Sequence, residues 1–290
     1  MKPIIHNIEF LTPLFSAGYD QQAPEIRAAS IRGQLHFWFR MLGYPHTMEH
    51  QIFGGIRSKQ HREKELASPL IVRVAYNEKN AASGSFPTLP HKSGGPAAFK
   101  QALNPGTKFQ LQLLSRRKPF SDEADEAIKH TLSAWFLCGA LGLRSGRGAG
   151  AMYVREVNSN TPDQWNKMID QLPTQKQFGA AVLGETYSNA ESARKVITNT
   201  IGGQDRANHP IDLRQINYPL GTIKPKRKTS PLRMTIRKFE NEFRIIATWD
   251  QRQEVTGNTI DHLRQATQGL ESKNKPIGPL LKAALPRLTS

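Results

Sequence analysis

The chain of 290 residues has one cysteine, Cys138, and no long apolar run. A single cysteine excludes an internal disulfide and a thiolate metal cluster, and it favours a reducing cytoplasm. No stretch approaches the roughly 20 apolar residues that a membrane helix needs. The early carboxylate of Glu9 argues against a secretory signal. The sequence therefore predicts a cytoplasmic protein without a membrane partner.

Acidic residues are also scarce. The chain has 40 Lys and Arg against 24 Asp and Glu, which gives a formal charge of +16 and a pI near 10.1. Residues 1–150 and 151–290 each carry +8, so the excess belongs to the folded body and not to a tail. This balance predicts a polyanionic partner, of which nucleic acid is the commonest. The alternative is a basic protein whose charge only keeps it soluble.

The most distinctive stretch is 139–150, which holds five glycines and is called the glycine loop below. Glycine permits positive φ and close approach, and turn N–H groups beside fixed cations suit phosphate oxygens. The sequence therefore predicts phosphate contacts from Arg144, Ser145, Arg147 and Gly148. A helix precedes the loop and a strand follows it, which is the reverse of the dinucleotide-binding order. A plain helix-to-strand connector is the alternative.

A second basic element lies on a helix that is predicted to begin near Ser30 and to end before Gly43. Its buried positions are Ile31, Leu35, Trp38, Phe39 and Leu42. Arg32, His36 and Arg40 recur every four residues along another face and are called the helix stripe, and Arg27 lies just ahead of it. Only one carboxylate, Glu25, occurs between residues 20 and 49. The scarcity of acid favours a stripe that faces phosphate over one that only faces solvent.

Alternating apolar residues predict strands at 2–11, 69–76, 108–114 and 151–157. With helices after the first and third strands, the order is β-α-β-β-α-β, so the predicted fold is α+β with a ferredoxin-like core. RNA-binding RRM domains share this order but carry stacking aromatics on the open face of the sheet. The third strand has Lys108, Gln110 and Gln112 there, so an ordinary RRM is not expected. Residues 77–106 form a long insertion.

The second half gives fewer signals. Helices are predicted at 162–172, 190–200 and 259–270, and a hairpin at 231–249. Lys226 and Arg227 lie in a basic loop just before the hairpin and are predicted as further phosphate contacts. We predict a ferredoxin-like domain at 1–157 and a second α+β domain or extension at 158–290, built as a degenerate ferredoxin-like half.

Two enzymatic interpretations compete with structural ones. Residues 46–50 match the H-x-x-E-H zinc signature, but Pro45 precedes and Gly54 follows closely, so no metal site and no cofactor is predicted. Asp20, in the loop after the first strand, could hold a metal ion or position an attacking group, and His6 could act as a base. A turn role for Asp20 and a hydrogen-bonded core role for His6 are favoured.

Several motifs together resemble the RAMP superfamily of CRISPR effector proteins. These are Leu11-Thr12-Pro13-Leu14, Glu25-Ile26-Arg27, Ser30-Ile31-Arg32-Gly33, Phe37-Trp38 with Arg40, Glu49 with Ile52-Phe53-Gly54, the glycine loop and Ser230-Pro231-Leu232. They cover about the first 150 residues well and the remainder in patches. Within the superfamily the chain is similar to the Cmr-type subunit of type III-B complexes that holds the 3′ portion of the guide RNA.

The resemblance implies an RNA-binding, non-catalytic subunit that assembles with other Cmr-type subunits around a guide RNA and its single-stranded target in antiviral defence. It also implies that 77–106 is a thumb-like insertion. Arg27, Arg32 and Arg40 match the family's basic helix positions, and Arg144 and Arg147 match its glycine-loop cations. His36 stands where arginine is common. The resemblance also offers a RAMP-like metal-dependent endoribonuclease acting through Asp20 as an alternative. A general basic RNA-binding protein outside CRISPR systems is the further alternative.

Overall fold

The structure is a computed structural model that describes residues 3–56, 64–77, 81–90, 99–116, 119–157, 159–202, 230 and 232–252. In chain order its elements are β1 (Ile4–Phe10), α1 (Ala28–Met41), α2 (His46–Phe53), β2 (Leu70–Ala75), β3 (Ser83–Pro87), β4 (Phe99–Leu103), β5 (Lys108–Ser115), α3 (Asp122–Cys138), β6 (Met152–Val154), α4 (Pro162–Asp170), β7 (Phe178–Tyr187), α5 (Ala190–Gly202), β8 (Leu232–Phe239) and β9 (Glu242–Asp250). The predicted α+β fold is confirmed. Among the described helices, none combines the length and apolar character needed to cross a membrane.

The first half is built on a four-stranded sheet in the order β2-β5-β1-β6. All three pairings are antiparallel, with Ile8 opposite both Phe109 of β5 and Val154 of β6. Helix α1 follows β1, and α3 connects β5 to β6. When the β3–β4 hairpin is counted as an insertion, this is the predicted β-α-β-β-α-β connectivity.

One face of this sheet packs against α1 and α3, whose apolar stripes carry the side chains of Trp38 and Trp135 into the core. Each such burial stabilises the fold by about 1.5–3 kcal/mol. Helix α1 begins at Ala28, two residues earlier than predicted. Helix α3 begins at Asp122, with the Ser121 hydroxyl accepting the N–H of Ala124 at 3.3 Å.

Strand β6 ends at Val154, earlier than the predicted strand, because the chain turns into a 3₁₀ helix over Arg155–Val157. The turn directs Glu156 back to β1, where its carboxylate accepts the Asn7 side-chain N–H at 2.8 Å. This side-chain contact joins residues 149 positions apart, so local periodicity carries no information about it.

The insertion contains the β3–β4 hairpin, and its base is fixed to the body of the protein. Leu103 exchanges two backbone hydrogen bonds with Leu14, each 3.1 Å long. Phe86 of β3 packs on a small cluster that includes Phe15 and Ala149 of the glycine loop. The thumb-like role of the insertion stays a prediction, and residues 91–98 lie outside the described part.

The second half contains a three-stranded antiparallel sheet in the order β7-β9-β8. The predicted hairpin is confirmed as β8 and β9, and the first two predicted helices are confirmed as α4 and α5. The third, 259–270, lies outside the described residues. Strand β7 was not predicted, because Ala181, Val182 and Leu183 are buried in succession and give no alternation.

The second sheet is buried on both faces. One face packs against α5 through residues such as Ile197 and Ala247, and the other contributes Phe178 and Ile246 to the core of the first half. This arrangement places β8 beside the end of α3, where the glycine loop begins.

A buried arginine fixes this junction. Arg237 of β8 donates to the carbonyl oxygens of Gly139 at 2.6 Å and Trp135 at 3.5 Å, at the C-terminus of α3. Those carbonyls carry the partial negative charge of the helix end. Burial lowers the pKa of Arg237 to about 10, so the guanidinium remains charged at neutral pH. The start of the glycine loop is therefore anchored to the second sheet.

Candidate nucleic-acid interface

The glycine loop is attached to the segment after β1 by its own backbone. The N–H of Leu143 donates to the Phe15 carbonyl at 2.8 Å, and the N–H of Gly150 donates to the Pro13 carbonyl at 3.0 Å. The loop is closed on itself by the Leu141 N–H, which donates to the Gly150 carbonyl at 3.0 Å. These bonds give the loop a fixed conformation.

On its other side the loop pairs with β8. The N–H of Gly148 donates to the Met234 carbonyl at 2.9 Å, and the N–H of Met234 donates to the Gly146 carbonyl at 3.1 Å. The buried Thr12 hydroxyl donates to the Gly148 carbonyl at 2.8 Å. Both backbone polar groups of Gly148 are therefore used inside the protein, and its predicted phosphate contact stays a prediction.

The glycines of the loop serve mainly close internal packing. Gly142 and Gly150 have φ of +83° and +59°, and an added Cβ would lie 2.6 Å from the Phe15 carbonyl oxygen or overlap the Leu141 carbonyl. Gly146 is the exception, since an added Cβ would meet the Arg233 Cγ at an ordinary 3.4 Å. The glycine density therefore reflects close packing at four of the five positions, and Gly146 at the tip is the one with room for a side chain.

The tip, Arg144 to Gly146, has the open hydrogen-bonding groups. Arg144 has φ of +63°, a left-handed conformation that is unusual for a residue with a side chain. Its carbonyl accepts the N–H groups of Arg147 at 2.8 Å and Ala149 at 3.3 Å. Within the described residues, the N–H groups of Arg144, Ser145 and Gly146 make no hydrogen bond. Successive N–H groups in such a turn form a nest for anions.

Two arginine side chains accompany this nest. Arg144 and Arg147 are half-buried. Burial, followed by the positive charge of Arg144, lowers the pKa of Arg147, which shows that the two guanidinium groups influence each other. Among the described residues, neither guanidinium has a carboxylate within ion-pair distance or a hydrogen-bond partner. Two adjacent, partly desolvated cations without a counter-charge attract an anion.

The helix stripe has a different environment, starting with Arg32. Its guanidinium donates to the Phe53 carbonyl and to the Ser68 hydroxyl, the latter at 2.6 Å, and lies 5.8 Å from the centre of the Phe53 ring. Burial lowers the pKa of Arg32. These contacts tie α1 to the end of α2 and to the chain that leads into β2.

His36 and Arg40 share one carboxylate, Glu49 of α2. The His36 Nδ1 lies 2.6 Å from Glu49 Oε1, and the Arg40 Nε lies 2.9 and 3.0 Å from the two carboxylate oxygens. Burial opposes ionisation of Glu49, but hydrogen bonds from His36 and Arg40 outweigh it and lower the pKa of Glu49. The stripe therefore lines the α1–α2 contact, and RNA binding by its members stays a prediction.

The remaining predicted residues are dispersed. Arg27 is exposed and forms a 3.4 Å ion pair with Glu25, of a type that contributes about 0–1 kcal/mol. Besides that pair, the guanidinium of Arg27, the cap residue of α1, donates to the Ala17 carbonyl at 3.3 Å. Lys226 and Arg227 lie outside the described residues.

Asp20 and His6, the candidates for endoribonuclease chemistry, lie in a turn and against the core. The Asp20 carboxylate accepts the Gln22 N–H at 2.8 Å in a turn, and His6 packs edge-on against Phe136 at 4.9 Å. Burial lowers the pKa of His6, although Glu156 acts in the opposite direction. In the described part of the chain, no three His, Cys, Asp or Glu side chains are placed to hold a metal ion.

Sequence reasoning missed Arg233 of β8, a basic residue that borders the tip of the loop. Its guanidinium carbon lies 4.0 Å from the centre of the Phe37 ring on α1, and its side chain borders Gly146. Its position on an alternating strand is the only sequence signal, because nothing local reveals that β8 pairs with the glycine loop.

A family model and two known proteins each match about half of the chain. The family model described as the RAMP superfamily matches residues 7–153, half of the chain. The Pyrococcus furiosus protein called CRISPR system Cmr subunit Cmr1-2 is 27% identical over 184 residues, which cover 53% of this chain and 96% of that protein. Cmr subunit Cmr1-1 from the same organism is 27% identical over 170 residues, 53% of this chain and 45% of that protein.

Solved structures show a shared fold. The crystal structure of Cmr1 from Pyrococcus furiosus in its apo form has a TM-score of 0.53 at 18% identity, covering 87% of this chain and 89% of that one. A chain of the type III-B Cmr-beta complex bound to cognate target RNA has a TM-score of 0.52 at 10% identity, covering 90% and 98%. With half of its length matched by the family model, the chain belongs to the RAMP superfamily.

Proposed function

We propose that this protein is a non-catalytic RNA-binding subunit of a type III-B CRISPR ribonucleoprotein, and that it contacts the 3′ region of the guide RNA or the single-stranded target. The observation that carries the proposal is the pair Arg144 and Arg147, cations without a counter-charge among the described residues, beside three open N–H groups. The similarity to Cmr subunits, and to a chain of a Cmr-beta complex that is bound to cognate target RNA, supports it.

The chemistry of the loop suits a ribose-phosphate backbone. Phosphate oxygens accept hydrogen bonds from nest N–H groups and from guanidinium groups. A guanidinium group can donate two parallel hydrogen bonds to one phosphate. The Ser145 hydroxyl adds a further donor at the same tip. Contacts of this kind position a strand without reading its bases, as a protein must do if it accepts guides of any sequence.

Other parts of the proposal rest on the similarity to Cmr subunits, on the single cysteine and on the contacts of the basic residues. Cmr-type subunits and RNA are its expected partners, and the cytoplasm is its expected location. Arg27 is an outer contact to the strand. The partners of Arg32, His36 and Arg40 favour a structural role for the stripe.

The test is RNA binding by the double variant Arg144→Ala and Arg147→Ala. We expect affinity for guide RNA to fall by about 10- to 100-fold, because two charge-assisted contacts are lost. The slope of log K against log salt should shrink by about 1.4, since a single strand loses about 0.7 per phosphate contact. Lys108→Ala with Lys238→Ala removes two exposed strand cations and is the matched control. Unchanged affinity in the loop variant would contradict the proposal.

The non-catalytic part of the proposal has its own test. Wild type and Asp20→Ala are incubated with guide RNA and a matching target strand. We expect neither to cleave the target. Cleavage by the wild type that disappears in Asp20→Ala would assign the chemistry to this chain.

A further inference from the structure

Strand β8 brings a third arginine to the tip of the glycine loop. The Met234 N–H bonded to the Gly146 carbonyl fixes the register, and its neighbour Arg233 lies within van der Waals reach of Gly146. The Gly146 N–H is one of the three open groups of the nest. The Arg233 side chain therefore starts beside one of the N–H groups that are proposed to bind phosphate.

The Arg233 guanidinium is held without the use of its N–H groups. It lies 4.0 Å from the centre of the Phe37 ring, and the planar group stacks on aromatic faces. Burial lowers the pKa of Arg233, with Asp250 opposing and Arg252 adding to the shift. Within the described residues the Arg233 side chain forms no ion pair and no hydrogen bond.

The nearby carboxylate is engaged elsewhere. Asp250 accepts two side-chain hydrogen bonds from Arg252, at 2.9 and 2.6 Å, and the Arg252 N–H at 3.0 Å. The charge of Asp250 is thus largely compensated by Arg252. Arg233 retains its charge for another partner.

We propose that Arg233 is the third cation of the anion site, so that an RNA strand is bound across the junction where the glycine loop of the first half pairs with β8 of the second. The inference rests on the proposed function of the loop. Phe37 is a positioning residue, because its ring orients the Arg233 guanidinium and leaves the N–H groups available. The ligand is a run of successive phosphodiesters, since each carries one negative charge and three guanidinium groups exceed what one phosphate neutralises.

The experiment measures binding of single-stranded RNA between about 50 and 200 mM salt. We expect Arg233→Gln to lower affinity about tenfold and the magnitude of the salt slope by about 0.7. Lys238→Gln, which removes an exposed cation from the same strand, should change both much less. Inorganic phosphate should displace the RNA only weakly, and displacement as strong as by unlabelled RNA would indicate a single-phosphate site and overturn the proposal.

Two further variants separate charge from placement. Phe37→Leu and Arg233→Lys keep the positive charge, so they should weaken binding several-fold while the salt slope stays near that of the wild type. They also carry the test if Arg233→Gln does not fold. A wild-type affinity in both would overturn the positioning role of Phe37.

The outcomes distinguish this inference from the proposed function. If Arg144→Ala with Arg147→Ala weakens binding and Arg233→Gln behaves like Lys238→Gln, the third cation is wrong and the loop assignment stands. If no loop variant weakens binding, the proposed function itself fails.

Discussion

The helix stripe and the glycine loop are both arginine-rich, but the protein treats their charges in opposite ways. In the stripe, Arg40 and His36 converge on one Glu49 carboxylate whose side chain is only 6% exposed. In the loop, Arg144 and Arg147 have no carboxylate partner among the described residues. The charges of the stripe are therefore used to hold two helices together, whereas the loop charges are not paired with an acid in the described part of the chain.

The origin of the difference is the position of the nearest acid in space. A buried carboxylate needs hydrogen-bonded cations, so Glu49 binds those that α1 presents to α2. The loop bonds instead to backbone groups of Pro13, Phe15 and Met234, none of which has an acidic side chain. The same residue type therefore has a packing role in one place and an open charge in the other.

The largest effect on stability is expected from a substitution that deforms the glycine loop. Gly150→Ala would place a Cβ against the Leu141 carbonyl at a residue with φ of +59°, so we expect a loss of about 2–4 kcal/mol in the free energy of unfolding. Chemical denaturation measures it. Gly146→Ala is the control, with an expected change within about 0.5 kcal/mol. Equal effects of both would show that the tip is as tightly packed as the rest of the loop.

Removal of the shared carboxylate tests the stripe. Glu49→Gln should lower the free energy of unfolding by about 1–3 kcal/mol, since His36 and Arg40 lose a charged acceptor. The pKa of Glu49 is lowered by folding, so its contribution is present above the unfolded value of about 4.3 and is lost as pH falls through the folded value. Unfolding of wild type and variant across pH should therefore converge in acid. If the two free energies of unfolding still differed below pH 4 by as much as at neutral pH, the ion-pair account would be contradicted.

The smallest effect is expected at Arg27, which has an acidic partner as the stripe residues do but is exposed to solvent. Its exposed pair with Glu25 predicts that Arg27→Gln changes stability by less than about 1 kcal/mol. As an outer phosphate contact it should lower the RNA salt slope by no more than about 0.7. Thermal unfolding and a salt titration measure the two effects, and a loss as large as that of the loop pair would move the site onto α1.

Sequence periodicity predicted much of the fold, because most elements have one buried face. Helix α1 and strand β5 show it clearly, and β7 does not because both of its faces are buried. The glycine density marks the turn that holds Arg144 and Arg147 locally, and their phosphate contacts stay a prediction. The partner of Arg40 and the neighbour of Gly146 could not be predicted, because Glu49 comes from the next helix and Arg233 from a strand 87 positions further along.

The most direct measurement is the salt dependence of guide RNA binding by two double variants of equal charge. One is Arg144→Gln with Arg147→Gln, and the other is Arg27→Gln with Arg40→Gln. If the loop binds the phosphates, the slope falls by about 1.4 in the first and by less than half of that in the second. An equal or larger fall in the second variant would contradict the assignment of the RNA site to the glycine loop.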